Sequence, residues 1–370
     1  MARVNGEQMK EKEVMKIVLA GDVSPTEMTD PLFEAGETKK LFQDVRQVFS
    51  GADLRIVNLE CALTKSTDPI AKIGPALKAS PNTAAVLKEL GVDICGLSNN
   101  HIFDYGKKGA ADTRRYLEEA GICSTGYGKD YADARKNLIW EAGGEKIGLI
   151  AVCEHEYSYA LEDREGARPF DPYDTMEDIR KAAAECSRVI VLYHGGKEHC
   201  AYPSPRLKAV CRAMAKCGAS VVLCQHSHCI GCYEEYEGCH ILYGQGNFHF
   251  RWKVEEPVQK SWDEALIVSY DTLSHEISFL PQTVSGEGIA LAKGEQAKEI
   301  LDSFNGRSRK LKTGEWKAEW RKFCESADWY RKAAVNGAKD PEMFAHYLDC
   351  EAHLDVWKEL YHTRNHSNEK

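Results

Sequence analysis

A chain of 370 residues is long enough for one large domain with an appendage or for two ordinary domains, and 43% hydrophobic with 28% charged residues is the balance of a globular protein with a substantial core. The net charge of −9, with Lys and Arg scattered among Asp and Glu, leaves no basic footprint and excludes recognition of nucleic acid through a general basic face. No stretch reaches the roughly 20 apolar residues of a membrane span, and the N-terminal MARVNGEQMKEKEVMK lacks the apolar segment of a secretory signal, so a cytoplasmic protein without an integral membrane segment is expected.

In chain order, the first two thirds repeat one arrangement: an apolar run rich in β-branched residues, a polar cluster, then a helix-like segment. KIVLAGD ends at Asp22, ADLRIVNLE at Asn58 and Glu60, and VDICGLSNNH at Asn100 and His101. Continuous apolar runs indicate strands buried on both faces, the habit of mostly parallel sheets covered by helices. The covering helices are read in SPNTAAVLKELG, started by a Ser cap and stopped at Gly91, and in GKKGAADTRRYLEEAG, with Tyr116 and Leu117 on its apolar stripe. TGYGKDYADA offers Gly126 and Gly128 but lacks the third glycine and the Lys-Ser/Thr ending of a phosphate loop, so it reads as a turn.

Next, NLIWEAGGEKIGLIAVC reads as a hairpin, RVIVLYHGGKEH as a fourth polar-ended strand with His194 and Glu198, and ASVVLCQHSH as a fifth with His226 and His228. YEEYEGCHILYGQGNFHF and EALIVSYDT add hairpins or mixed strands, which suggests a second sheet packed on the first. Ligands of such sheets bind beyond the carboxyl ends of the strands, so the five polar clusters are expected to converge on one edge. A domain over 1–285 is followed by a helical extension over 286–370. There, Trp316, Trp320, Phe323, Ala327 and Tyr330 mark one helix face, and Asp340 and Pro341 open a second helix with Phe344, Leu348, Ala352, Val356 and Leu360 along it. Two helices packed on the core are expected, with a lid or a homo-oligomer contact as the alternatives.

The 14 cysteines lie mostly in apolar strand-like or helix-like contexts, which points to reduced, buried thiols. Cys229 and Cys232 form a C-x-x-C, but no second pair lies nearby and a hairpin follows, which disfavours both a zinc knuckle and a redox motif.

The donors at the strand ends are a mixed oxygen and nitrogen set without thiolate: Asp22, Glu60, Asn100, His194, His226 and His228. That set suits Mn²⁺, Fe or Zn²⁺, and six donors exceed one tetrahedral site, so two divalent metal ions sharing a carboxylate are expected. His226 and His228, at i and i+2 of an extended backbone, would each serve one ion. Hydrolysis of a phosphoester or an amide is the natural output of such a centre.

The blocks GDV (21–23), NLE (58–60), NNHIFDYG (99–106), HGGKE (194–198), HSH (226–228) and GQGNFHF (244–250) resemble, in order, the signature blocks of the CapA family. These are poly-γ-glutamate capsule biosynthesis proteins related to calcineurin-like metallophosphoesterases, and the resemblance runs from about residue 15 to 252. It implies an α/β fold, a four-layer αββα sandwich of the metallophosphoesterase type, with Glu60 bridging two ions. Asp22 and His228 would hold one ion, and Asn100, His194 and His226 the other. It further implies His101 as a catalytic imidazole oriented by Asp104, Glu198 as a base or substrate-binding carboxylate, and Asn58 and Asn247 at the substrate. A small-molecule or peptide-like anionic substrate follows, with hydrolysis, peptide epimerisation or a non-catalytic part in polymer synthesis as the competing outcomes. Departures from the family pattern are Ser24, where a D-x-H ligand or Met is usual, His199 in place of Tyr, and Ser227 in place of Pro; they leave the ligands intact and the substrate open.

Overall fold

The computed structural model describes residues 15–253, 258–336 and 341–361. Its central strands are β1 (Lys16–Val23), β2 (Leu54–Leu59), β3 (Ile94–Gly96), β4 (Glu145–Cys153), β5 (Arg188–His194), β6 (Val221–Gln225), β7 (Asn247–His249) and β8 (Glu264–Asp271). β1, β2 and β3 pair in parallel with Asp22 opposite Asn58, β7 joins β1 at Asn247, and β8 runs antiparallel to β1. They belong to an eight-stranded sheet, while β4, β5 and β6 form the parallel centre of a six-stranded sheet. The fold is thus mixed α/β, with parallel centres and antiparallel edges.

The expected second sheet exists, but its membership differs from the sequence reading. EALIVSYDT is β8 of the first sheet, and the strands ending at His194 and His226 belong to the second. Instead of lining one edge of one sheet, the polar clusters are shared by two. Apolar runs alone do not say which sheet a buried strand joins, because strands of both sheets are covered on both faces.

Alternation along the strands builds three apolar layers. Ile17 and Leu19 of β1 meet Leu149, Leu192 and Leu223 of the other sheet between the two sheets. Val18 and Ala20 face outward against Phe33, Phe42 and Leu87, the last on α1 (Thr83–Leu90), and Leu117 on α2 (Gly106–Glu119). On the second sheet's outer face, Val191 and Tyr193 pack on Ile179 of α3 (Pro172–Glu185) and Met214 of α4 (Pro205–Lys216). α3 and α4 start where the sequence supplies a capping oxygen followed by proline: Asp171 accepts from the backbone of Tyr173 and Asp174, and Ser204 from Leu207 at 3.0 Å. α1 starts at Thr83 and not at the expected Ser80, whose hydroxyl instead accepts the Asn82 N–H at 3.3 Å.

Beyond residue 285 the strand Gly288–Leu291 still pairs in the first sheet before the helices begin. The helices are α5 (Gly294–Thr313), α6 (Trp316–Ser326), α7 (Asp328–Asn336), α8 (Pro341–Asp349) and α9 (Glu351–Tyr361). Where two long helices were expected, breaks at Ala327 and Cys350 divide each apolar stripe, and Asp340 lies outside the described residues. Trp316, Trp320, Tyr330, Val356 and Leu360 are buried against the second sheet's outer layer, whereas Leu348 is 49% exposed. The packed-on-core expectation holds for α6, α7 and α9, whose residues join that layer, while α8 packs on α9 through Phe344 against Trp357. Among the described residues no helix is long and apolar enough to cross a membrane. All 14 cysteines are free and 12 are buried.

Gly21, near the end of β1, packs directly on the loop before β7. A Cβ there would lie 2.2 Å from the carbonyl oxygen of Gly246, which is backbone and cannot rotate away. Gly21→Ala is expected to lower stability by about 1–3 kcal/mol, the cost of overpacking; a urea midpoint shifted down at unchanged slope would show it, and an unshifted midpoint would refute the contact.

Candidate functional site

The strand ends of both sheets meet at one buried cluster. Asp22 (β1), Glu60 (just past β2), His194 (end of β5), and His226 and His228 (just past β6) are all at most 5% exposed. Two triads could each hold a cation: Glu60 with His194 and His226, and Asp22 with Glu60 and His228; within each, donor atoms lie within 4.8 Å of one another. Glu60 is common to both triads. Asn100 adds its amide oxygen 3.0 Å from His194 Nε2, and Glu60 Oε1 is 3.2 Å from the same nitrogen.

The donor set fits cations on a further ground. Both oxygens of Glu60 are buried without a hydrogen-bond donor, as is Nδ1 of His226. A carboxylate so placed is costly unless a cation or a proton meets it. Burial raises the Glu60 carboxyl to about 8, and burial with the Glu60 charge raises Asp22 to about 7. Burial also pushes His194 and His228 down to about 3, so both rings are neutral, the form in which imidazole binds metal. For His226, burial is outweighed by Glu156, Glu198 and Glu60, and its pKa rises.

The ligands are held from outside. Asp22 Oδ1 accepts from Asn58 Nδ2 at 2.7 Å, Oδ2 accepts the His226 N–H at 3.0 Å, and Asn58 Nδ2 also lies 3.1 Å from His194 Nδ1. Asn247 Oδ1 meets His228 Nδ1 at 2.9 Å, which directs the ring's Nε2 away from it. Asn58 and Asn247 were expected at the substrate; both are buried, and their amides meet the side chains of the candidate ligands Asp22, His194 and His228. The extended HSH backbone is corrected: β6 stops at Gln225, and His226 and His228 take φ of 85° and 54°, the left-handed region that L residues avoid. The two rings nonetheless fall in different triads.

His101 is next to Asn100 and its Nδ1 lies 2.6 Å from Asp104 Oδ2. Asp104 is fully buried, accepts the Leu77 N–H at 2.6 Å on Oδ2, and takes Lys72 Nζ at 2.7 Å on Oδ1. Burial and Lys72 lower the His101 pKa against the pull of Asp104. Glu198 keeps 42% of its side chain exposed and pairs with Lys197 at 3.4 Å. Asn99, beside these groups, uses Oδ1 to accept the N–H groups of His101 and Ile102 and so shapes the turn.

Two residues escaped the sequence reading. Lys72 lies in a loop without periodicity, and nothing local marks it. Glu156 does carry a signal, since CEHE follows the apolar run of β4 just as the other clusters follow theirs; its Oε2 accepts Asn100 Nδ2 at 2.8 Å and its Oε1 lies 3.7 Å from His226 Nε2. Cys229 and Cys232 are buried and join none of the candidate metal clusters among the described residues.

Fold and site together define an α/β protein with a candidate metal centre at the junction of two sheets. A family model described as bacterial capsule synthesis protein PGA_cap matches residues 16–251, and the chain belongs to that family, the CapA proteins. Capsule biosynthesis protein CapA of Bacillus anthracis is 26% identical over 250 residues, covering 65% of this chain and 61% of its own length. PGA biosynthesis protein CapA of Bacillus subtilis is 26% identical over 242 residues, covering 64% of each chain. A Mycobacterium tuberculosis protein named probable polyglutamine synthesis accessory protein is 28% identical over 211 residues, 54% of this chain and 56% of that one. The chain thus spans less than two thirds of the length of these relatives.

Glu60→Ala is expected to remove both divalent ions from protein purified with bound metal, and His228→Ala to remove one. Elemental analysis per chain checks this, and an unchanged content in Glu60→Ala would rule out the shared carboxylate. Asn247→Ala should weaken binding by about 10–100-fold through loss of ring orientation, read by competition with a chelating dye.

Proposed function

We propose that this chain is a metal-dependent hydrolase whose fold is the four-layer αββα sandwich of the metallophosphoesterase type, acting on a γ-glutamyl or other peptide-like anionic substrate, or on a phosphoester. The observation that carries the reading is Glu60, a buried carboxylate without a donor, shared by two ligand triads. The names of its relatives, which speak of capsule, PGA and polyglutamine synthesis, support a peptide-like substrate class.

Asp22, Glu60 and His228 would hold one divalent ion and Glu60, Asn100, His194 and His226 the other. Bound there, Mn, Fe or Zn would act as a Lewis acid toward a substrate oxygen and lower the pKa of an attacking water. The chain's own groups do the rest. Asn58 and Asn247 fix the ligand side chains. Asp104, itself held by Lys72 and the Leu77 N–H, keeps the His101 proton on Nδ1, leaving Nε2 to exchange a proton with the reacting group. Glu198, open to solvent beside this cluster, is placed to receive a substrate ammonium or to take a proton from water.

The same tautomer favours a second reading. A free Nε2 lone pair is what removal of a proton beside a carbonyl requires, so a peptide epimerase remains the competing enzyme, and a non-catalytic part in polymer synthesis the third alternative. The protein loaded in turn with Mn²⁺, Fe²⁺ and Zn²⁺ and assayed on γ-glutamyl peptides and on phosphomono- and diesters is expected to hydrolyse one class, and His101→Gln to lower kcat by about 100-fold or more. Deuterium uptake into a peptide without cleavage would replace hydrolysis by epimerisation; inactivity of every loaded form in both assays would reject catalysis.

A further inference from the structure

The helices that follow the family's matched region bring a second kind of donor to the edge of this site. Cys350, between α8 and α9, is fully buried, and His353, in the first turn of α9, is 6% exposed. With Glu156 they place a sulfur, a ring nitrogen and a carboxylate oxygen within 4.8 Å of one another. Unlike the strand-end cluster, this one contains a thiol, which changes the cation it would select.

Each donor is also backed by an outer partner, the arrangement that orients metal ligands. Glu156 Oε2 is fixed by Asn100 Nδ2 at 2.8 Å, while Oε1 faces Cys350 Sγ at 3.3 Å. His353 Nδ1 is engaged by the Tyr330 hydroxyl, which leaves Nε2 as the ligating atom. Cys350 Sγ accepts the backbone N–H of His353, and its carbonyl accepts the Leu354 N–H at 3.0 Å, so the sulfur sits at the start of an eleven-residue helix. Burial and the carboxylates of Glu156 and Glu154 hold the Cys350 thiol well above its usual range, against the lowering effect of the His353 N–H, so the sulfur gives up its proton to a cation and not to water. Lys197 Nζ pairs with Glu198 at 3.4 Å, and its charge also acts on Glu156 and Cys350.

We propose that Glu156, Cys350 and His353 form a separate site for one thiophilic divalent cation of the zinc type, clamping the α8–α9 pair against the strand ends. Binding exchanges the Cys350 thiol proton, released to solvent, for an S–metal bond, and leaves the fourth tetrahedral position to water. Glu156 then serves both sites, as a ligand of this cation and as the fixed acceptor of Asn100. The site borders the strand-end cluster through Glu156 but differs from it in donor set, since the donors there are all oxygen and nitrogen.

Cobalt(II) tests this, because only a thiolate ligand gives a near-ultraviolet sulfur-to-cobalt charge-transfer band. The full chain, stripped with a chelator and titrated with Co²⁺, is expected to develop that band at one equivalent per chain. Cys350→Ser should abolish it at unchanged secondary structure, and Glu60→Ala, which empties the dinuclear centre, should keep it. Should Cys350→Ser not fold, His353→Gln carries the test, with Co²⁺ affinity at this band at least roughly tenfold lower. Absence of the band in the wild-type chain, or its persistence in Cys350→Ser or at undiminished affinity in His353→Gln, would overturn the site while leaving the strand-end centre untouched.

Discussion

A carboxylate with water excluded and no donor offered is the constraint around which this molecule is organised. Glu60 follows β2 into the space where two sheets end, among imidazoles, other carboxylates and amides already committed elsewhere. Burying such a group without compensation costs several kcal/mol, and the chain does not relieve it with an arginine or a run of backbone N–H groups. Instead Asn58, Asn247, Asp104 and Lys72 are spent on holding the surrounding side chains still. Polar groups arranged this way favour a charge that arrives from outside.

Geometry at the second sheet's edge shows the same priority. His226 and His228 sit at φ of 85° and 54°, conformations that cost of order 1 kcal/mol or more each for residues with a Cβ. An extended strand would have placed the two rings on one face by simple alternation. The left-handed turn places them in two different triads, and the Asp22 carboxylate, hydrogen-bonded to the His226 N–H, ties that turn to the first sheet. Backbone strain and ligand placement are thus parts of one arrangement.

Much of this was legible in the amino-acid order because parallel strands buried on both faces write a distinctive pattern: an unbroken apolar run followed by the groups it presents. Asp22, Glu60, Asn100, His194, His226 and His228 all carried that signature, and the structure gathers them. Sheet membership was not legible, since strand–strand pairing is decided by which face meets which, and Leu149, Leu192 and Ile17 look alike in sequence. Lys72 was invisible for another reason: it reaches Asp104 from an irregular loop, so no period marks it. The number of C-terminal helices was not legible because a helical stripe continues in phase across a short break, and the breaks at Ala327 and Cys350 do not interrupt the spacing of aromatic residues.

The neighbours of β1 have a consequence for how the protein comes into being. β1 opens the described chain, yet the strand that flanks it opposite β2 is β8, and the segment that packs on Gly21 is the loop before β7. Contacts of such long sequence separation form late, after the entropy of closing a very long loop has been overcome. During synthesis, Asp22, Glu60 and Asn100 leave the ribosome well before His194, His226 and His228 exist to complete either triad. Any cation taken by the finished centre stabilises only the finished domain, which makes occupancy a report on completed folding: a truncated or arrested chain has the acidic half of the site and nothing to close it.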